Sequence, residues 1–160
     1  ECFAEHYVDG RELNLSLLER DGAPVVLPPA EIRFEDLREG EFKVVGYRAK
    51  WLTGSREYES TRRSFDFSVA DRPLLSHLGQ LAARCWRLFG LGGYARVDFR
   101  VDDGGRPWVL EVNANPCLAP DAGYAAATRQ AGLPWREVIA SVVEAAFRSA
   151  RARGWETPAR

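Results

Sequence analysis

Between Tyr94 and Asn113 the chain twice alternates apolar with polar residues, about the turn Asp102-Asp103-Gly104-Gly105. Successive side chains of a strand point to opposite faces, so this pattern constrains the segment to an antiparallel hairpin, Tyr94–Val101 with Arg106–Asn113. A turn centred on Asp103-Gly104 sets Val101 opposite Arg106 and Asp98 opposite Val109. Arg96, Asp98, Glu111 and Asn113 then share one face. Val97, Phe99, Val101, Trp108, Leu110 and Val112 share the other and read as core. Glu111 falls diagonally across from Asp98, about 7–8 Å between Cα atoms, and Arg96 falls opposite Glu111.

That polar face has a chemical use. Hard cations such as Mg2+ take oxygen ligands, commonly one or two carboxylates with substrate phosphates completing the shell. Asp98, Glu111 and Asn113 offer such a set, and the amide serves a second ion without adding charge. Arg96 is a permanent cation aimed at the same place and suits oxyanion charge in phosphoryl transfer. A solvated sheet face is the bland reading. Against it, Asp, Glu and Asn are depleted from strands, and Asn113-Ala114-Asn115-Pro116 is an irregular exit that re-aims the chain. The residues by themselves leave both readings open.

Elsewhere the pattern predicts a first hairpin, residues 2–8 with 11–19, about Asp9-Gly10. Leu13, Leu15 and Leu17 alternate with Glu12, Asn14 and Ser16. Parity about that turn puts Glu5, Tyr7, Glu12 and Asn14 on one face, and Ala4, His6, Val8 and the leucines on the core face. Asp21-Gly22 turns the chain into a short strand near Val25–Leu27, which Pro28-Pro29 ends. Residues 30–41 are mixed and charged, 42–51 are read as containing a strand, and 52–68 as a long arginine-rich loop. Arg56, Arg62 and Arg63 in that loop could bind an anionic substrate or simply be solvated.

A 3.6-residue apolar stripe predicts a helix over 73–89 with Pro73 in its first turn. Gly90, Gly92 and Gly93 stop it; they follow a helix and precede a strand, the reverse of a phosphate-cradling P-loop. A short alanine-rich helix is expected over 122–131. An amphipathic helix over 134–150 should bury Val138, Ile139, Val142, Val143, Ala146 and Phe147. Hairpins separated by helices imply an α+β fold, a mainly antiparallel sheet packed with helices, in one domain over 1–150 with a frayed tail over 151–160.

The net charge of −1 gives no basic footprint for nucleic acid, and no apolar run is long enough to span a membrane. Cys2, Cys85 and Cys117 are widely spaced with no CxxC, which reads as reduced thiols in a cytoplasmic protein. Cys85 lies among apolar helix residues and reads as packing. The chain opens at Glu1 and has no methionine, so a piece of a longer protein is expected, with its N-terminal part absent.

The stretch Gly92–Gly123 closely resembles the metal-binding core of D-alanine–D-alanine ligases within the ATP-grasp superfamily. Its parts are an Arg-x-Asp strand, a Leu-Glu-x-Asn strand and an Asn-x-x-Pro loop. The resemblance implies that Asp98 and Glu111 bind one magnesium ion, that Glu111 and Asn113 bind a second, and that Arg96 meets the transferring phosphoryl group; Mn2+ could replace Mg2+. Residues Ala4–Leu13 resemble the family's adenine segment. By that likeness Glu5 and the backbone at Tyr7 and Val8 meet the adenine of ATP, and Glu12 the ribose. Tyr47-Arg48-Ala49-Lys50 resembles a Tyr-x-Ala-Lys segment, which implies that Lys50 touches the terminal phosphates.

The activity so implied is ADP-forming ligation of a small-molecule carboxylate to an amine through an acyl phosphate, by a soluble enzyme that could be a homodimer. The fragment by itself is expected to be inactive. Two rivals are a non-catalytic ATP-binding module and an ATP-grasp ligase with a different acyl substrate. The second is kept open by a departure: Cys117 stands where the family has glycine, and Ala122 where it has a serine that helps hold the substrate carboxylate.

Overall fold

A computed structural model of the chain describes residue 2 and residues 4–154. Among the described residues six strands form one sheet: β1 (Arg11–Arg20), β2 (Ala23–Val26), β3 (Ala30–Phe34), β4 (Thr61–Ser64), β5 (Tyr94–Val101) and β6 (Pro107–Asn113). The order is β4-β3-β1-β5-β6, with β2 also paired to β1, and every pairing is antiparallel. Among the described residues five α-helices accompany it: α1 (Tyr47–Trp51), α2 (Arg56–Glu59), α3 (Arg72–Leu88), α4 (Gly123–Gln130) and α5 (Trp135–Ala152). The α+β architecture expected from the sequence is the one observed.

Parity along β1 decides what covers each face. Leu13, Leu15 and Leu17 are buried with Ala95, Val97, Phe99 and Val101 of β5, beneath Leu78, Ala82 and Trp86 of α3. On the opposite face, only the far end of β1 is covered by helices. Leu18 packs there with Leu27, Tyr124 and Ala127 of α4 and Val138 of α5. The Tyr124 hydroxyl donates to the Leu17 carbonyl at 3.0 Å and pins α4 to the sheet. Ser16, Asn14 and Glu12 continue along this second face beyond the helices. That uncovered stretch is where the polar side chains gather.

The expected first hairpin does not form. Residues 4–9 are irregular, and His6, assigned to the core, is exposed. Both edges of β1 are already taken: β5 pairs it from Arg11 to Leu18, while β3 and β2 share the other side. No edge remains for a strand before Gly10. That glycine serves a different purpose, with φ +136° and a carbonyl of Val101 where a Cβ would stand, 1.9 Å away. Residues 42–51 hold α1 rather than a strand, and the supposed loop over 52–68 contains α2 and β4. β3 was not expected either; its pairing with β1 and β4, not its own mixed pattern, makes it a strand.

The hairpin about Asp21-Gly22 and the helices α3, α4 and α5 follow the sequence reading. Within α5, however, Val143, Ala146 and Phe147 are exposed, and Val138 and Ala145 carry the burial. Trp108 and Leu110, assigned to the core, are also exposed. They lie on β6, the edge strand, past the reach of α3. Residues Arg151 and Ala152 belong to α5, and residues 155–160 lie outside the described region. Cys85 packs at the margin of the α3 cluster, and burial pushes its thiol up, while Cys117 is exposed.

Candidate active site

The β5–β6 ladder carries a bulge between Asp98 and Phe99, which the symmetric turn could not foretell. Phe99 pairs with Val109 and Asp98 with Glu111, so Leu110 is the extra residue. Asp98 and Glu111 therefore stand directly opposite, not diagonally, and Arg96 faces Asn113 rather than Glu111. Directly opposed residues share a face. The predicted quartet Arg96, Asp98, Glu111 and Asn113 is thus brought together, in a register tighter than expected.

Register extends this face across the sheet. Ser16 pairs with Arg96, Asn14 with Asp98 and Glu12 with Arg100. Arg96 grips Asp98 with both arms, Nε donating to Oδ1 and Nη2 to Oδ2, each at 2.7 Å. Asp98 is only 6% exposed. Burial works against the Arg96 charge, but the Asp98 bond and the fields of Asp98, Glu111 and Glu12 outweigh it and hold the guanidinium protonated. Glu111 is exposed on the edge strand. Asn113 Oδ1 accepts from the Asn115 amide at 2.9 Å, which fixes the exit loop, and the Tyr94 hydroxyl bonds Asn115 Oδ1.

The nucleotide candidates are distributed less simply. Glu12 does lie on the polar face, 8% exposed. Its partner is Arg100, whose Nη2 donates to Oε2 at 3.1 Å. Desolvation pushes the Glu12 carboxyl up, with Arg100, Arg96 and Lys50 opposing and Asp98 adding repulsion. The Lys50 charge thus acts on Glu12 although its own side chain is exposed on α1. Glu5 and Tyr7 are exposed and Val8 half-buried, on the irregular segment instead of a strand. That segment meets the loop after β3. The Tyr7 hydroxyl accepts from the Lys43 amide at 3.2 Å, the Tyr7 and Phe42 rings are 4.8 Å apart, and Lys43 Nζ lies 3.0 Å from Asp9.

Arg100 is the residue that the sequence reading missed. It is 4% exposed, donates to Glu12 and to the carbonyls of Lys43 and Gly10, and lies 5.9 Å from the Phe34 ring. It ties β5, β1, the segment before β1 and the loop after β3 into one wall. The signal was available: Arg96, Asp98 and Arg100 are spaced by two, so the polar face continues past Asp98.

Among the described residues no three or more His, Cys, Asp or Glu converge on one point. The candidate oxygen donors on this face are Asp98, Glu111 and Asn113, without imidazole or thiolate. Such a set suits a hard cation that draws its remaining ligands from phosphate and water, not a closed protein cage.

An antiparallel sheet with helices on both faces is the fold of the C-terminal part of an ATP-grasp protein of the D-alanine–D-alanine ligase kind. The chain belongs to the family described as D-ala D-ala ligase C-terminus, whose model matches residues 1–144. It is 30% identical to a D-alanine–D-alanine ligase of Bordetella petrii, over 91% of this chain and 41% of that protein. It is 35% identical to D-alanine–D-alanine ligase A of Mesorhizobium japonicum, over 96% of this chain and 41% of that protein. The chain therefore spans about two fifths of the length of these curated relatives. The crystal structure of a Bacillus anthracis D-alanine–D-alanine ligase complexed with ATP shares the fold, with a TM-score of 0.67 and 23% identity, over 92% of this chain and 41% of that one.

Proposed function

We propose that this chain is the nucleotide- and metal-binding part of an ATP-dependent, ADP-forming ligase that joins a small-molecule carboxylate to an amine. The observation that carries this reading is the direct opposition of Asp98 and Glu111 on one sheet face, with Arg96 forked onto Asp98. Family membership and the ATP named with the Bacillus anthracis relative support it.

In this proposal the irregular segment before β1 receives the adenine, through Glu5 and the backbone of Tyr7 and Val8. Glu12, held by Arg100, accepts from a ribose hydroxyl. Lys50 reaches the terminal phosphates from α1. Asp98 and Glu111 would hold one divalent cation, Mg2+ or Mn2+, and Glu111 with Asn113 a second. When bound, such ions neutralise phosphate charge and orient the oxygens for in-line transfer. Arg96 keeps a permanent positive charge beside the group in transit. The carboxylate takes the γ-phosphoryl group to give an acyl phosphate and ADP. The amine nitrogen then attacks the acyl carbon, the C–N bond forms, the C–O bond to phosphate breaks, and the amine gives up a proton.

The test is ADP release by the full-length protein with ATP and Mg2+ across D- and L-amino acids, D-alanine included. Release that depends on an amino acid is the expected result. Tight ATP binding without amino-acid-dependent ADP release would instead mark a non-catalytic nucleotide module.

A further inference from the structure

Burying Arg100 is unfavourable by itself. Its side chain is 4% exposed, and Nε is sealed from solvent with no hydrogen-bond partner among the described residues. A buried ion pair gains little stability over apolar residues of the same volume, and an unpaired buried donor loses some. Relative to an apolar pair, Glu12 and Arg100 supply a fixed arrangement rather than stability.

Three contacts fix the guanidinium. Nη1 donates to the Gly10 carbonyl at 3.4 Å, and Nη2 donates to the Lys43 carbonyl at 2.7 Å and to Glu12 Oε2 at 3.1 Å. The Phe34 ring lies beside it, with its centroid 5.9 Å from Cζ. Held on these sides, the cation sets where the carboxylate goes. Only one oxygen of that carboxylate is engaged. Oε1 takes no hydrogen bond among the described residues and is not sealed from solvent. Desolvation pushes the Glu12 carboxyl up, and the Arg100 charge is what chiefly opposes it. The contact that aims the group therefore also favours its acceptor form.

We infer that Arg100 is a positioning residue that sets the sugar selectivity of the nucleotide site, by committing Oε2 of Glu12 and leaving Oε1 as the acceptor for one ribose hydroxyl. This rests on the reading of Glu12 as the ribose acid. A carboxylate with both oxygens free can take a vicinal diol, one hydroxyl on each oxygen. With Oε2 occupied, Glu12 reads a single hydroxyl. Arg100 is itself buried and acts on the nucleotide only through Glu12. Because the same guanidinium holds the Gly10 carbonyl, the ribose acid is fixed relative to the segment that receives the adenine.

The experiment measures dissociation constants of ATP, 2′-deoxyATP and 3′-deoxyATP for the full-length protein, with Mg2+ and no amino acid. The proteins are wild type, Glu12→Gln, Arg100→Gln, Arg100→Lys and the double variant Glu12→Gln with Arg100→Gln. Wild type should bind one of the two deoxynucleotides at least tenfold more weakly than ATP, the effect of losing a hydrogen bond to a charged acceptor, and the other within threefold. Arg100→Gln should bring the tenfold penalty to within twofold. Arg100→Lys should retain part of it, and the double variant should match Glu12→Gln. Arg100→Lys keeps the counter-charge and the double variant removes both charges, so the comparison survives should Arg100→Gln fail to fold. No penalty or equal penalties for the two deoxynucleotides in wild type, a full penalty in either Arg100 variant, or one common loss of affinity for all three nucleotides would each overturn the assignment. A wild type that binds ATP but fails these tests refutes the role of Arg100 alone, whereas one that binds none of the three refutes the nucleotide reading beneath it.

Discussion

Asp98 and Glu111 face each other across the β5–β6 ladder because a bulge after Asp98 takes up Leu110 as an extra residue. In the proposed ligase, Asp98→Asn and Glu111→Gln should each lower ADP-forming turnover of the full-length protein by about 10²–10³, the usual cost of removing one group that stabilises developing charge. Steady-state ADP release checks this. Near wild-type rates in both variants would remove the two acids from the chemistry.

Glu12 and Arg100 form a buried pair on the same face. Arg100→Met should destabilise the protein by about 3–5 kcal/mol, since it leaves a buried carboxylate without its cation. The double variant Glu12→Gln with Arg100→Met should recover a large part of that loss. Urea denaturation of the two single variants, the double variant and wild type closes the cycle. A loss in the double variant equal to the sum of the two single losses would show that the pair is not coupled.

Gly10 should tolerate no side chain. Its φ of +136° and the Val101 carbonyl, 1.9 Å from where a methyl group would sit, leave no room without displacing backbone. Gly10→Ala should part the start of β1 from the end of β5 and disturb the adjoining segment 4–9. A lower melting temperature together with weaker ATP binding is the expected outcome. A variant with wild-type stability would contradict the close approach.

Asp71 gives a signed pH dependence. Arg11 bonds it at 2.5 Å and Ser68 donates to it from both hydroxyl and amide, so its carboxyl is held at about 2, below its ordinary value of 3.8. A lowered native pKa means the unfolded state binds more protons in that interval, so stability rises with pH there. This contribution is fully present above 3.8 and is lost as pH falls towards about 2. Chemical denaturation of the full-length protein at stepped pH should show the slope in wild type. Asp71→Asn should lack that component, and an unchanged slope would count against the contact.

Much of the site was legible because side-chain parity is a local property. Arg96-x-Asp98 and Glu111-x-Asn113 declared a polar face, and Leu13, Leu15 and Leu17 a packed one, before any tertiary contact was known. The α3 stripe and the glycines after it were equally local. Glu5, Tyr7 and Val8 were singled out, but on a strand that does not exist, because strand formation needs a free edge and β1 has none to give.

The sequence by itself determined which residues could share a face, since a strand turns each side chain over at every step whatever lies beside it. Tertiary structure alone decided register and neighbours. The bulge set Asp98 against Glu111, pairing with β1 made a strand of Ala30–Phe34, and α4 brought Gly123 to Arg63. These depend on contacts between residues far apart in the chain, whose free energy no short window of sequence contains.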